Sequence, residues 1–329
     1  MNTESSSYKK YKQFFEKNQN NQDDSFFYSL KDFLDFHALE TLGPNVITEL
    51  SFRESKFDSD GFMETLGQNR QRINKITANY LYHRWIRLIL IKKYSKDEFD
   101  KIKSIPLVYL PQVKEGPKAI LTTQGSLVCF SQWYNDLLSG TFQTIVKASK
   151  FSSTKTKTPQ ISYEEAADRI IMGAKFFIND FEGELPSSLN LEPSHIYLSD
   201  LINNYLQMFI LSHEYNHILL GHLNNYHKYE ISPSEKLQIE IDADIKAATI
   251  LKLPNNSNEN IQQNSLLLSS IISHYLVTDL CNKIIYRRSK PSNTSEERFS
   301  KIIDFFTNDL KEIHTIPEIK IFDIALEKV

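Results

Sequence analysis

Apolar residues recur with a helical period over much of the chain. The segments that lack this period separate the helical regions from one another. Residues 1–24 are rich in Asn, Gln, Ser and charged side chains and have little to bury, so we predict that they are disordered. Helical spacing of apolar positions is found over Phe26–Phe36 and over Thr77–Tyr94, the latter with a basic polar side. These patterns predict a helical N-terminal region over residues 25–104.

The pattern changes to short β-type runs after Pro106. Leu107–Leu110, Ala119–Thr122 and Leu127–Phe130 are each short and rich in residues that favour strands, and Gly-Pro and Gln-Gly pairs separate them. We therefore predict a hairpin or a small meander. A polar segment rich in Ser, Thr and Lys, residues 147–159, follows and is expected to form a loop.

Helical periodicity returns after this loop and continues to the C-terminus. Ser162 precedes the first of these helices and is the expected N-cap residue. The predicted helices are Tyr163–Phe181, a run within Leu201–Leu223, Ser234–Leu251, Gln262–Arg288 and Glu296–Lys311. The expected fold class is α+β and predominantly helical, with a small β-sheet preceding the helix within Leu201–Leu223.

That helix carries the sequence HExxH as His213, Glu214 and His217. Two histidines four residues apart on a helix lie within about 40° of each other around its axis, so both imidazoles can reach one metal ion. Glu214 is poorly placed as a ligand, but it can take a proton from a water activated by that ion. The spacing therefore predicts a hydrolytic metal site.

A catalytic zinc site takes a third protein ligand and keeps a fourth position open. Glu240 and Asp244 lie one turn apart on the next predicted helix and share a face. One carboxylate can bind the metal while the other accepts a hydrogen bond from a ligating histidine, which orients its ring.

Two other assignments within the same stretch are excluded by spacing. On a continuous helix, His222 follows His213 by about 900° of rotation and falls on the opposite side, so we expect a surface or second-layer histidine there. The metzincin pattern requires Gly and His at the positions of Leu220 and Leu223. Gly221 is expected to mark the helix end or a close helix approach.

The motif HEYNHILLGH followed by EIDAD resembles the gluzincin zinc peptidases, whose pattern is HExxH followed by ExxxD or ExxAD. Membrane-embedded HtpX and CAAX-prenyl processing peptidases share this pattern, as do soluble ImmA/IrrE peptidases and the phage-exclusion peptidase Lit. The resemblance covers about Leu201 to Phe306 and extends to a Glu-Arg pair at Glu297 and Arg298, although no His precedes Pro291 as it does in Lit.

This resemblance implies a zincin-like catalytic core, which we place at residues 105–254, followed by a C-terminal helical region at 255–329. It implies one Zn²⁺ ion bound by His213, His217 and Glu240. Glu214 would be the general base, and Asp244 would contact a ligand without binding the metal.

Two further residues are candidates on chemical grounds. Arg298 can stabilise the oxyanion of a tetrahedral intermediate, or it can form a surface salt bridge with a neighbouring Glu. His274 lies on an apolar predicted helix, where a satisfied buried histidine is more common than a group that polarises a substrate carbonyl.

Composition excludes several other classes. The 329 residues are 40% hydrophobic and carry a net charge of −3, which gives no general attraction to nucleic acid. Two cysteines imply no disulfide framework and fit a reducing compartment. No apolar stretch approaches the roughly 20 residues that span a bilayer, and the polar N-terminus lacks an apolar signal core, so the expected location is cytoplasmic.

The sequence thus predicts a zinc-dependent endopeptidase that acts on a protein or peptide substrate, selects particular proteins and, by its resemblance to Lit, serves in phage defence. The alternatives are a general quality-control protease and a metal-stabilised sensor or binding module without catalysis. A structural zinc site would normally use four ligands and would not need Glu214, which favours the enzyme.

Overall fold

A computed structural model of the chain describes residues 86–103, 105, 107–110, 116–122, 125–149, 161–178, 191–226, 231–286, 293–307 and 317–329. The predictions for residues 1–24, for the helix at Phe26–Phe36 and for most of the loop at 147–159 lie outside these residues. So does the first part of the predicted helix Thr77–Tyr94, of which residues 86–90 are helical and continue into a 3-10 turn at Ile91–Lys93.

The described elements are mostly helices. In chain order they are α1 (Lys96–Ile102), β1 (Leu107–Leu110), β2 (Lys118–Thr122), β3 (Gly125–Ser131), α2 (Gln132–Ala148), α3 (Tyr163–Ile178), α4 (Pro193–Leu219), α5 (His222–Tyr226), α6 (Pro233–Leu251), α7 (Asn258–Tyr286), α8 (Asn293–Thr307) and α9 (Pro317–Lys328). The prediction of a mainly helical α+β chain with a small sheet before the HExxH helix is confirmed in this part of the chain.

The sheet has the strand order β1–β3–β2. The predicted hairpin is confirmed, since β2 pairs antiparallel with β3, but the alternative of a meander is wrong because β1 pairs parallel with β3. Strand β3 is the longest of the three and buries Leu127, Val128 and Phe130, so its central position removes the most apolar surface from water.

The described residues group into two compact units. One comprises those up to Tyr134 together with 217–226, and it contains α1, the sheet and α5, which packs against β2. The other comprises 135–216 and the described residues from 231 onward. In it, α3 packs against α7 and α9, while α8 packs against α6 and α7. The predicted boundaries 105–254 and 255–329 stay a prediction.

Side-chain caps fix where the helices of the second unit begin. The Ser162 hydroxyl accepts a hydrogen bond from the Glu165 amide, as predicted for an N-cap at the start of α3. Ser232 and Glu235 form a reciprocal capping box at the start of α6, and Pro233 occupies the first turn, where its missing amide proton is not needed.

Among the described residues, no helix is both long enough and apolar enough to cross a bilayer.

Candidate metal site

The three motif residues of α4 lie in a stretch, residues 209–217, in which every residue is buried. His213, Glu214 and His217 are all buried, each less than a tenth exposed. Polar and ionisable groups at such positions are costly unless they have partners. Each of these three side chains therefore requires a polar partner.

Helix α6 supplies both carboxylates that the sequence singled out. The Nδ1 atom of His213 lies 2.8 Å from an Asp244 carboxylate oxygen, and its Nε2 atom lies 3.4 Å from an oxygen of Glu240. The two carboxylates are one helical turn apart, so they engage opposite sides of the same imidazole. Asp244 contacts the ring at Nδ1, and Glu240 faces Nε2.

The ligand atoms of His213, His217 and Glu240 all lie within 4.8 Å of one another. Around a tetrahedral zinc ion, neighbouring nitrogen and oxygen ligands are about 3.3 Å apart. The 3.4 Å between His213 Nε2 and Glu240 Oε2 already has this value, and His217 follows on the same helix one turn later. Two imidazoles and one carboxylate are donors that zinc accepts, and the group could therefore hold a metal ion.

Glu214 stands apart from this set. Its nearest carboxylate oxygen is 4.0 Å from His213 Nε2, and the group of possible ligands in the described part of the chain does not include it. A role of Glu214 as general base stays a prediction.

Exposure distinguishes the two carboxylates of α6. The side chain of Asp244 is 1% exposed, whereas that of Glu240 is 29% exposed. Glu240 is therefore in contact with solvent, whereas Asp244 is shielded from it.

Arg298 on α8 binds both of these carboxylates. Its Nε and Nη2 atoms donate to the two oxygens of Asp244 over 2.7 and 2.9 Å, and its Nη1 atom lies 3.1 Å from Glu240 Oε2. The predicted salt bridge with a neighbouring Glu on the surface does not describe this arrangement, since the side chain is only 20% exposed. An oxyanion-stabilising role stays a prediction.

These contacts strongly shift the pKa values of His213 and Asp244. Burial alone would lower the pKa of His213, but the Asp244 and Glu240 carboxylates raise that pKa to about 10. Burial acts in the opposite direction on Asp244, yet the charges of Arg298 and His213 hold the pKa of its carboxyl well below the usual range. Asp244 is therefore ionised, and a proton and a metal compete for His213 Nε2.

Two residues of α7 complete the surroundings. The Arg298 guanidinium lies over the Tyr275 ring, 5.2 Å from its centroid, and sequence reasoning missed Tyr275 because a single Tyr on an apolar helix carries no distinguishing signal. Burial and the charge of Arg298 lower the pKa of His274 to about 3, so His274 is neutral at physiological pH. Whether it contacts a substrate stays a prediction.

The prediction that His222 lies on the opposite side of the helix is wrong. Helix α4 ends at Leu219, and Gly221 has a φ of 73°, a left-handed conformation that turns the chain before α5 begins. His222 Nδ1 consequently lies 3.1 Å from His217 Nδ1, and both rings are buried. The expected helix end at Gly221 is confirmed, and the expectation of a surface position for His222 is wrong because its ring is buried.

Comparison with known proteins adds nothing to this geometry. No family model, curated protein or solved structure matches the chain. The resemblance to the gluzincins therefore remains one of motifs, carried by the residues of α4 and α6.

Proposed function

We propose that this protein is a zinc-dependent endopeptidase with a zincin-like catalytic core. The observation that carries the proposal is the convergence of His213, His217 and Glu240 on one point, with Glu214 beside them but outside the ligand set. A structural zinc site is closed by four protein ligands, and it would have no need for a carboxylate such as Glu214 that lies outside the ligand set.

Each residue has one role in this proposal. His213, His217 and Glu240 would hold the ion, which when bound acidifies a water and polarises a substrate carbonyl. The Glu214 carboxylate accepts the proton of the attacking water and delivers it to the nitrogen of the leaving amine.

Asp244 and Arg298 support these residues without touching the reacting atoms. Asp244 holds the proton of His213 on Nδ1, so that Nε2 presents its lone pair to the metal. Arg298 keeps Asp244 ionised and holds Glu240 through its remaining nitrogen. We therefore propose that the main role of Arg298 is to position Asp244 and Glu240, and we rank a contact with the substrate oxyanion below it.

The substrate class we propose is a particular protein rather than unfolded chains in general. This selectivity, and a role in phage defence, rest on the resemblance to Lit-like peptidases alone.

Metal analysis of purified protein tests the site. We expect close to one zinc per chain in the wild type and loss of zinc in Glu240→Ala. Asp242→Ala is the matched control, because Asp242 is an exposed acid on the same helix and accepts a hydrogen bond from Gln238. Equal zinc in wild type and Glu240→Ala would contradict the ligand assignment.

Cleavage tests the activity. Incubation with host lysate and with casein should give one or a few discrete lysate products that are absent with Glu214→Gln. General degradation of casein without such products would favour a quality-control protease, and no cleavage of any substrate by zinc-loaded protein would favour the non-catalytic sensor.

A further inference from the structure

The chain makes an abrupt turn directly after the second motif histidine. Helix α4 stops two residues after His217, Gly221 adopts its left-handed conformation, and α5 begins with His222. Helix α5, of which His222 is the first residue, packs against β2. The result is a contact between the two histidines at 3.1 Å, with their rings edge to face.

The two motif histidines are contacted at the same ring atom. Nδ1 of His213 faces Asp244 at 2.8 Å, and Nδ1 of His217 faces His222 at 3.1 Å. Each contact engages the nitrogen nearer the backbone and leaves Nε2 as the one that can bind a metal. Metal-ligating histidines almost always donate their second nitrogen to such a partner, and that contact fixes tautomer and ring orientation.

We propose that His222 is the positioning residue for the metal ligand His217, as Asp244 is for His213. This inference rests on the proposed metal site. His217 binds the ion only through an Nε2 atom without a proton, so its proton resides on Nδ1 and is donated to Nδ1 of His222. His222 must then carry its own proton on Nε2.

His222 is a partner of a ligand and is not a ligand itself. The group of possible metal-binding atoms in the described part of the chain contains His213, His217 and Glu240 and omits His222. Its Nδ1 atom already faces His217 Nδ1, on the side of that ring away from Nε2. A neutral imidazole accepts a weaker hydrogen bond than a carboxylate, so the contribution of His222 should be smaller than that of Asp244.

The test compares two substitutions at this position. His222→Asn keeps an acceptor oxygen near the position of Nδ1, whereas His222→Leu keeps the bulk and removes the acceptor. Zinc affinity is measured by competition with a chromophoric chelator, and we expect it to fall about 10-fold in His222→Leu, the lower end for loss of such a partner, and to be largely restored in His222→Asn. His195→Leu is the control, since His195 is another buried histidine on α4.

A second readout follows the proton itself. Nitrogen chemical shifts of zinc-loaded protein should identify His217 as the tautomer protonated on Nδ1 in the wild type, and His222→Leu should broaden or shift that signal. Unchanged affinity and unchanged His217 signals in His222→Leu would overturn the inference. Loss of zinc as complete as in His217→Ala would also overturn it, because His222 would then be a ligand.

The turn offers an independent pair of variants in case His222→Leu does not fold. A β-branched residue is strained at the φ of Gly221, whereas Asn tolerates it, and an added Cβ meets nothing closer than 3.9 Å. Gly221→Val should therefore weaken zinc binding more than Gly221→Asn, and equal affinities would overturn the inference. Failure of the wild type to bind zinc would refute the proposed function. A zinc affinity that is unchanged by substitution of Gly221 and of His222 would refute only the role of His222.

Discussion

Replacement of Arg298 by Met tests the charge network behind the metal site without any assumption about activity. Met keeps much of the aliphatic length of the side chain but removes the guanidinium, and with it the contact over the Tyr275 ring and all three nitrogens that contact Asp244 and Glu240. The Asp244 carboxylate, which is 1% exposed, would then lose the guanidinium and keep its contact with His213.

The size of the effect follows from burial. Breaking a buried ion pair costs about 3–5 kcal/mol because one charge is left without compensation. Arg298 is 20% exposed and His213 still faces Asp244, so we expect the lower end, about 3 kcal/mol of unfolding free energy. Arg169→Met is the matched control, since its pair with Glu165 is an exposed i,i+4 contact that contributes about 0.3–0.5 kcal/mol.

Urea unfolding in the presence of a chelator measures both variants without a metal contribution. The double variant Arg298→Met with Asp244→Asn should be at least about 1 kcal/mol more stable than the sum of the single effects predicts, because both charges are then removed together. Additive effects, or an Arg298→Met variant no less stable than Arg169→Met, would show that the pair contributes no more than a surface contact.

Three further outcomes are expected. Glu214→Gln should retain zinc and fold but lose turnover, because the amide is nearly isosteric and cannot accept a proton; cleavage near the wild-type rate would remove Glu214 from the mechanism. His213→Ala and His217→Ala should lose zinc, whereas Asp244→Asn should weaken zinc affinity about 10–100-fold, and metal analysis separates these results. In chelator-treated protein, the folded pKa of His213 is raised from 6.5 to about 10, so its contribution to stability is fully present below pH 6.5 and is lost as pH rises toward 10. Urea unfolding midpoints measured at a series of pH values over this range report the loss. In Asp244→Asn, the midpoint should depend less on pH, and an equally steep dependence in that variant would show that Asp244 does not cause the raised pKa.

The local elements were predictable because local chemistry determines them. The strand at Leu107–Leu110 agrees with the sequence prediction to the residue, and α6 begins one residue before the predicted Ser234. Short apolar runs between turn residues, and a Ser-Pro pair with Glu three residues after the Ser, carry this information within a few positions. The parallel pairing of β1 with β3 depends on contacts between distant segments, which periodicity does not report.

The convergence of the two motif histidines was predictable for a similar reason. The spacing of His213 and His217 on one helix fixes their common direction, whatever the rest of the fold does. The error at His222 shows the limit of this reasoning. It assumed that the helix continued, and the left-handed Gly221 that ends it changes the direction of every following side chain.

The different roles that we propose for Glu240 and Asp244 could not be derived from spacing, because both lie on one face of α6 and carry the same charge. Burial separates them, since Asp244 is closed off by Arg298 while Glu240 keeps an exposed side. An exposed carboxylate can release its hydrogen bonds and bind an incoming ion, whereas a buried one held by two charged partners is expensive to move. Arg298 comes from α8, more than fifty residues along the chain from Asp244. In the proposed site, its position determines which of the two acids is left to bind the metal.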